Sequence, residues 1–517
     1  MLAWATHARD AGKAAASQTV EGEIFLRLKD PAGATALATA VSTPGSSQYR
    51  QWVTPQQWIN RFSPPQSVYN GLLKYLRYNG LTITGTPDSR LFVVFRGTAA
   101  QVSQVFDTSL HSYSLAGKHL VAPSSAPSLP ADIAVSVSGM ELDQGRLLTR
   151  PDSVTPDAGS GTAAPSSASP NRAAPTTAEC SNYYGEHQAK LPKAYGQTVF
   201  NTYICGYVFA QLRSAYGVSL TNPTVLTAGR SAAELDGSGQ TVAIIDAYAS
   251  PTIHQDVNTY SARRGEPALA KFSQIKPKTF YDQALCQEPS GWQGEQTLDV
   301  EAVHGIAPAA GVLYAKDGSV AVETGWGSHR AQVNSRGNGY VGGLPGDFRF
   351  GAGGGRSTIF AQPAYQQGIV PASLAHGMRV SPDIAADADP YTGMLIGLRP
   401  ISNDTTLKTG SYVEEAIGGT SLASPLVAAQ MALVQQAIGQ TIGFANPALY
   451  ALHKAVPSVP RDVVGTAPFP LAFTSAVTGN TYLVTGNRDT SLTVRPWYDD
   501  VTGLGAIDFQ FLWRAMA

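Results

Sequence analysis

Apolar and polar positions divide the chain into three parts. In the first, Thr19 to Leu28 alternates as a strand with one buried face. Ser67 to Asn79 carries Val68, Leu72 and Leu76 at a spacing of four, which predicts a helix stopped by Asn79-Gly80. Leu91 to Phe95 is a β-rich run, and Gly97-Thr98 opens a helix bearing Val102, Val105 and Phe106. Strand, helices, two strands, helix and strand in that order predict a small ferredoxin-like α+β domain over residues 1–150. In the third part, residues 180–517, Thr241-Val242-Ala243-Ile244-Ile245 is a continuous apolar run suited to a buried parallel strand. Glu295 to His304 holds Leu298, Val300, Ala302 and Val303 without Gly or Pro, predicting a short helix ended by Gly305 and Pro308. Leu426 to Val434 predicts another, with Pro425 in its first turn. Together these point to an α/β fold with a doubly wound parallel sheet, whose site gathers at the carboxyl ends of the strands.

Between them lies a stretch of a different kind. From Pro151 to Thr177 the only sizeable apolar side chain is Val154, the rest being small, polar or turn-forming. Such a segment cannot bury a core of its own, so residues 151–179 read as a flexible, cleavable linker.

Composition narrows the function. At 517 residues the chain exceeds one typical core, in keeping with two domains. Charged residues make up 14% and the formal net charge is -1, which gives no field to attract nucleic acid or an anionic membrane. No run of about eighteen apolar residues occurs, so no membrane-spanning helix is predicted. Met1 to Asp10 shows no basic start followed by an apolar core, and hence no intact secretory signal. Three cysteines allow one disulfide. Cys180 and Cys205, flanking the start of the third part, are the expected pair in an oxidising compartment.

The chemistry concentrates in two motifs. Gly419-Thr420-Ser421-Leu422-Ala423-Ser424-Pro425 sets Ser421 at a helix N-terminus, where free N–H groups and the macrodipole favour a developing oxyanion. Glu295 and Asp299 stand four apart and share one helical face. Two like charges on a half-buried face repel, so one carboxyl is driven to keep its proton, and such a pair can move protons. A rival triad is also written in the chain: Asp246, His304 and Ser421 follow the order Asp, His, Ser. Its local motifs, Asp246-Ala247-Tyr248 and His304-Gly305-Ile306, are not those of a subtilisin.

The two motifs in this order resemble those of the sedolisins, serine-carboxyl peptidases with a subtilisin-like fold. The resemblance extends over nearly the whole chain. It implies Ser421 as nucleophile, Glu295 as general base and Asp299 as the acid coupled to it. Ser46-Ser47-Gln48-Tyr49 and Val53-Thr54-Pro55 resemble the family's activation pro-domain, which implies an inhibitory partner carried in the same chain, a zymogen, and protein or peptide substrates cut at acidic pH outside the cell. Gly353-Gly354-Gly355-Arg356-Ser357 and Ser381 to Pro390 resemble framework segments. The family's single Ca²⁺ implies a site made from Asp462, Val463, Arg495, Trp497 and Asp499, with Arg495 and Trp497 standing where the family has glycines.

One departure is large. Sedolisins carry a long block with a central strand and a Ser-Gly-Asp motif whose aspartate helps build the oxyanion hole. Here Tyr314-Ala315-Lys316-Asp317-Gly318-Ser319 runs almost directly into Glu323-Thr324-Gly325, and no Ser-Gly-Asp occurs in the chain. An internal deletion near 315–316 implies an impaired or inactive relative. Asp347, in Pro345-Gly346-Asp347, is the only nearby Gly-Asp that offers a substitute.

Overall fold

The computed structural model describes residues 8–115, 118–142, 151–157, 180–218, 235–269, 271–276, 286, 288–307 and 322–508. It divides into two compact units, one of residues 1–149 and 280–287 and the other of residues 150–279 and 288–517.

The first unit includes strand β1 (Thr19–Leu26), helix α1 (Gln66–Tyr78), strands β2 (Thr82–Gly85) and β3 (Phe92–Thr98), helix α2 (Ala99–Val105) and strand β4 (Val137–Glu141), with other elements between them. Their sheet runs β2-β3-β1-β4 with every pairing antiparallel, the ferredoxin-like order expected from the sequence. The alternation of β1 works as written: Val20, Ile24 and Leu26 are buried against Leu72 and Leu76 of α1 and Val102 of α2. Across the pair, Glu21 lies opposite Arg96, and their side chains form an ion pair of 2.9 Å. The Thr98 hydroxyl accepts from the Gln101 N–H, and the Gln101 side chain accepts from the Thr98 N–H, so a capping box starts α2 where Gly97-Thr98 predicts it.

The second unit holds helices α3 (Phe209–Ala215), α4 (Ile253–Arg263) and α5 (Pro289–Ile306), then strands β5 (Gly327–Gln332), β6 (Asp347–Gly351), β7 (Met394–Leu398) and β8 (Val413–Ile417). Helices α6 (Thr420–Ile438) and α7 (Asn446–Ala455) and strands β9 (Phe469–Thr474) and β10 (Thr481–Gly486) follow, among shorter elements. A sheet ordered β6-β5-β10-β9 and the pair β7-β8 are both antiparallel. The main core gathers side chains from α3 to α7 and β7. Cys180 and Cys205 form the expected disulfide.

The α/β class holds, but one of its expected elements does not form. Thr241 to Ile245 joins no strand ladder among the described residues, and Ile245 is 94% exposed. An apolar run of this kind needs paired neighbours on both edges and cover on both faces. The junction at Ala315-Lys316, where the resemblance implies that a block with a central strand is lost, lies outside the described residues.

Candidate active site

Helices α5 and α6 carry Glu295, Asp299 and Ser421 and pack against one another through matched apolar stripes. Leu298, Ala302 and Ile306 recur every four residues on α5, and Leu422, Leu426, Ala429 and Leu433 line α6; all are at most 1% exposed. Burying one such leucine contributes about 1.5 to 3 kcal/mol, so the pairing is strongly fixed. Helix α5 is longer than its sequence pattern predicts. It starts at Pro289, whose ring supplies the helical φ at a position where the missing N–H costs nothing.

Helix α6 begins at Thr420, which makes Ser421 its second residue and puts Pro425 in the second turn, not the first. Pro425 has no N–H to offer the carbonyl of Ser421, which loosens the helix below the serine. Gly419, at the cap, has φ 110°, a conformation side chains rarely adopt. A Cβ there would stand 2.4 Å from the carbonyl oxygen of Asp152 and 3.0 Å from the Cα of Ser153. The glycine is needed because another stretch of backbone lies against it.

That stretch is the start of the expected linker. The backbone N–H of Ser153 donates to Glu295 Oε2 at 3.0 Å. Val154 and Gly418 exchange both backbone hydrogen bonds, at 3.0 and 2.8 Å, as an antiparallel bridge. The carbonyl of Pro156 accepts from Tyr391 Oη at 3.3 Å and from Arg330 Nη1 at 3.2 Å. Residues 151–157 are thus tied down along the site, whereas the rest of the linker, 158–179, lies outside the described residues.

Three carboxyl groups meet at the site. Glu295 is 7% exposed on α5, and Asp299 follows one turn later, half-buried. The third is Asp246, whose segment is fastened to α5 by Gln296: its Nε2 donates to the Ala247 carbonyl at 2.7 Å, and its Oε1 accepts from the Ser250 N–H at 2.6 Å. Burial, and then the charges of Asp246 and Glu295, push the Asp299 pKa up to about 8. Burial and the charge of Glu295 push Asp246 up to about 6. Asp246 Oδ2 is buried with no hydrogen-bond partner. Such a cluster stores protons near neutrality and can pass one along.

The rival triad is not assembled by the described contacts. His304 lies with its Nε2 2.9 Å from the Pro267 carbonyl and its ring edge-on to Phe209, and burial lowers its pKa. Asp246 instead keeps company with Glu295 and Asp299. The sequence order set Asp246 with His304 and Ser421; the described interactions set it beside the two carboxyls of α5.

The framework segments position the serine turn. Gly419 N–H donates to the Ala388 carbonyl at 2.7 Å, and the Ser328 hydroxyl donates to Asp389 Oδ1 at 3.1 Å. Asp347 begins β6 exposed, its Cα opposite that of Arg330.

The residues implied for a cation also converge. Asp462 Oδ2 accepts from the Trp497 N–H at 2.6 Å, and Asp499 Oδ2 accepts from the Arg495 N–H at 2.9 Å. Asp499 Oδ1 accepts from the N–H groups of Val501 and Thr502. Burial and the nearby Asp499 raise the Asp462 pKa, and Asp462 Oδ1 is buried without a partner. Trp497 takes φ 77°, the left-handed turn for which a glycine is the ordinary choice. Two acids held together, one with an orphaned oxygen, suit an oxygen-seeking divalent ion.

Known proteins resemble the chain in both of its parts. The model of the pro-kumamolisin activation domain matches residues 6–141. Sedolisin of Pseudomonas sp. (strain 101) is 25% identical over 503 residues, an alignment covering 87% of this chain and 82% of that protein. The chain is similar to sedolisin along most of its length and to the pro-kumamolisin activation domain in its first part. Xanthomonalisin of Xanthomonas sp. (strain T-22) is 23% identical over 94% of this chain and 64% of its own length. Kumamolisin of Bacillus sp. (strain MN-32) is 34% identical over 158 residues, 30% of this chain and 23% of that one. This sedolisin relative is thus of peptidase type and carries an activation domain at residues 6–141. Among the described residues no helix is long and apolar enough to cross a membrane.

Proposed function

We propose that this sedolisin relative is a slow serine-carboxyl endopeptidase, exported behind its own inhibitory pro-domain and working on protein chains at acidic pH. The observation that carries the reading is Glu295 accepting a backbone N–H from an extended segment that also lies against the cap of α6, where Ser421 stands. In this reading Ser421 Oγ attacks a peptide carbonyl and Glu295 takes its proton, then returns it to the leaving amine. Asp299, which keeps its proton below about pH 8, avoids adding another negative charge beside Glu295. Ionising it crowds the site with charge, so activity falls as pH rises through that value.

The free N–H groups at the start of α6 are the oxyanion donors on hand. The family's oxyanion aspartate is missing from the sequence, and the exposed, strand-bound Asp347 is a poor substitute. Loss of one such donor typically costs about 2.7 to 4 kcal/mol, a hundred- to a thousand-fold in rate, which is why the turnover is slow. One Ca²⁺ belongs to the same reading: the carboxylates of Asp462 and Asp499, with backbone carbonyls of Val463, Arg495 and Trp497, would hold it, and it would offset the charge of the two acids and tie their loops together.

Hydrolysis of an unfolded protein at acidic pH tests the assignment. Ser421→Ala should abolish it and Glu295→Gln should lower it at least a hundred-fold, whereas His304→Ala leaves it within about three-fold. The reverse order for Glu295 and His304 would return the site to the rival triad.

A further inference from the structure

The segment 151–157 lies along the site in a defined register, and that register singles out one bond. Ser153 offers its backbone nitrogen to Glu295, the group assigned to protonate a leaving amine. The peptide bond made by that nitrogen is Asp152–Ser153. Its carbonyl oxygen is the atom that a Cβ on Gly419 would strike at 2.4 Å, two residues before Ser421. On the far side of the bond, Val154 is fixed by two backbone hydrogen bonds to Gly418, and Pro156 by Tyr391 and Arg330.

Ser153 is 4% exposed, Val154 is half-buried and Pro156 is buried; on the N-terminal side Asp152 is exposed and Pro151 is buried. Val154, the one sizeable apolar residue of an otherwise small and polar stretch, packs on the cluster containing Tyr391 and Phe473. We infer that Asp152–Ser153 is the bond the chain cuts in itself, and that it is recognised through the residues on its C-terminal side. The inference rests on the peptidase reading above.

The step balances with groups present and one water. A bond forms from Ser421 Oγ to the Asp152 carbonyl carbon as the hydroxyl proton passes to Glu295. The carbon–nitrogen bond then breaks, and the Ser153 nitrogen takes that proton. Water, giving its proton through Glu295, hydrolyses the ester and restores Ser421. The products are a fragment ending at Asp152 and one beginning at Ser153. A weak oxyanion site is compatible with this event, because a tethered substrate reacts at effective concentrations of up to about 10⁵–10⁸ M and the cut is needed once.

The test is to incubate the purified full chain at pH 4 and determine fragment masses and new N-termini over time at two tenfold-different concentrations. The inference expects an N-terminus at Ser153, formed at a concentration-independent rate. Ser421→Ala should not form it, and Val154→Pro, which removes the N–H given to Gly418, should form it at least tenfold more slowly. Hydrolysis of an added unfolded protein is measured in the same samples. Ser421-dependent cutting at another bond, or hydrolysis of the added protein with the 152–153 bond intact, overturns the inference and leaves the peptidase reading standing. Absence of both reactions overturns the two together.

Discussion

Asp299 shows how one residue's surroundings set its chemistry. Its carboxyl is pushed from 3.8 up to about 8 by burial first and by Asp246 and Glu295 second. In the unfolded chain the same group ionises near 4. Between those two values the unfolded state has lost the proton and the folded state keeps it, so the contribution of Asp299 to stability is fullest below pH 4 and declines as pH rises towards 8. Asp246, raised to about 6, adds the same sign over a narrower window. Thermal unfolding should therefore show a higher Tm at pH 5 than at pH 8, and Asp299→Asn should shrink that difference. An unchanged difference in the variant would mean that Asp299 is not held protonated. The spacing of Glu295 and Asp299 was enough to put them on one face. Asp246 was not readable as their neighbour, because the contact is set by Gln296 fastening a distant loop to α5.

Among elements, those driven by local signals follow the sequence most closely. Helix α1, with Leu72 and Leu76 buried and Asn79-Gly80 at its end, forms where the spacing predicts it. Thr241 to Ile245 does not become a ladder strand, since a buried strand depends on partners elsewhere in the chain. The pair of loops bearing Asp462 and Asp499, one before β9 and one after β10, lies between these cases. Its acids are legible as residues, yet the left-handed turn at Trp497 is set by the fold around it. If Ca²⁺ is held between these loops, saturation at about a hundred times its Kd adds about 2.7 kcal/mol to stability. Chelation should then lower Tm by several degrees, Ca²⁺ alone should restore it, and Asp462→Asn should remove the response. A wild-type Tm indifferent to both chelator and Ca²⁺ would exclude the site.

At the scale of the molecule, a small first unit ahead of a larger second one was legible from changes in composition and pattern. The lodging of the linker's first residues in the site was not. Backbone groups make most of those bonds, and backbone leaves little mark on sequence beyond Gly419 and the lone Val154. The same scale holds the central claim, that Ser421 and Glu295 form working peptidase machinery slowed by the loss of one oxyanion segment.

The most direct measurement compares kcat/KM on an unfolded protein substrate at acidic pH for the native chain and for a chain with the family's block inserted between Ala315 and Lys316, each with and without Ser421→Ala. The account expects weak, Ser421-dependent hydrolysis by the native chain and a rise of about a hundred- to a thousand-fold on insertion. Equal rates in the two chains, or hydrolysis that survives Ser421→Ala, would contradict it.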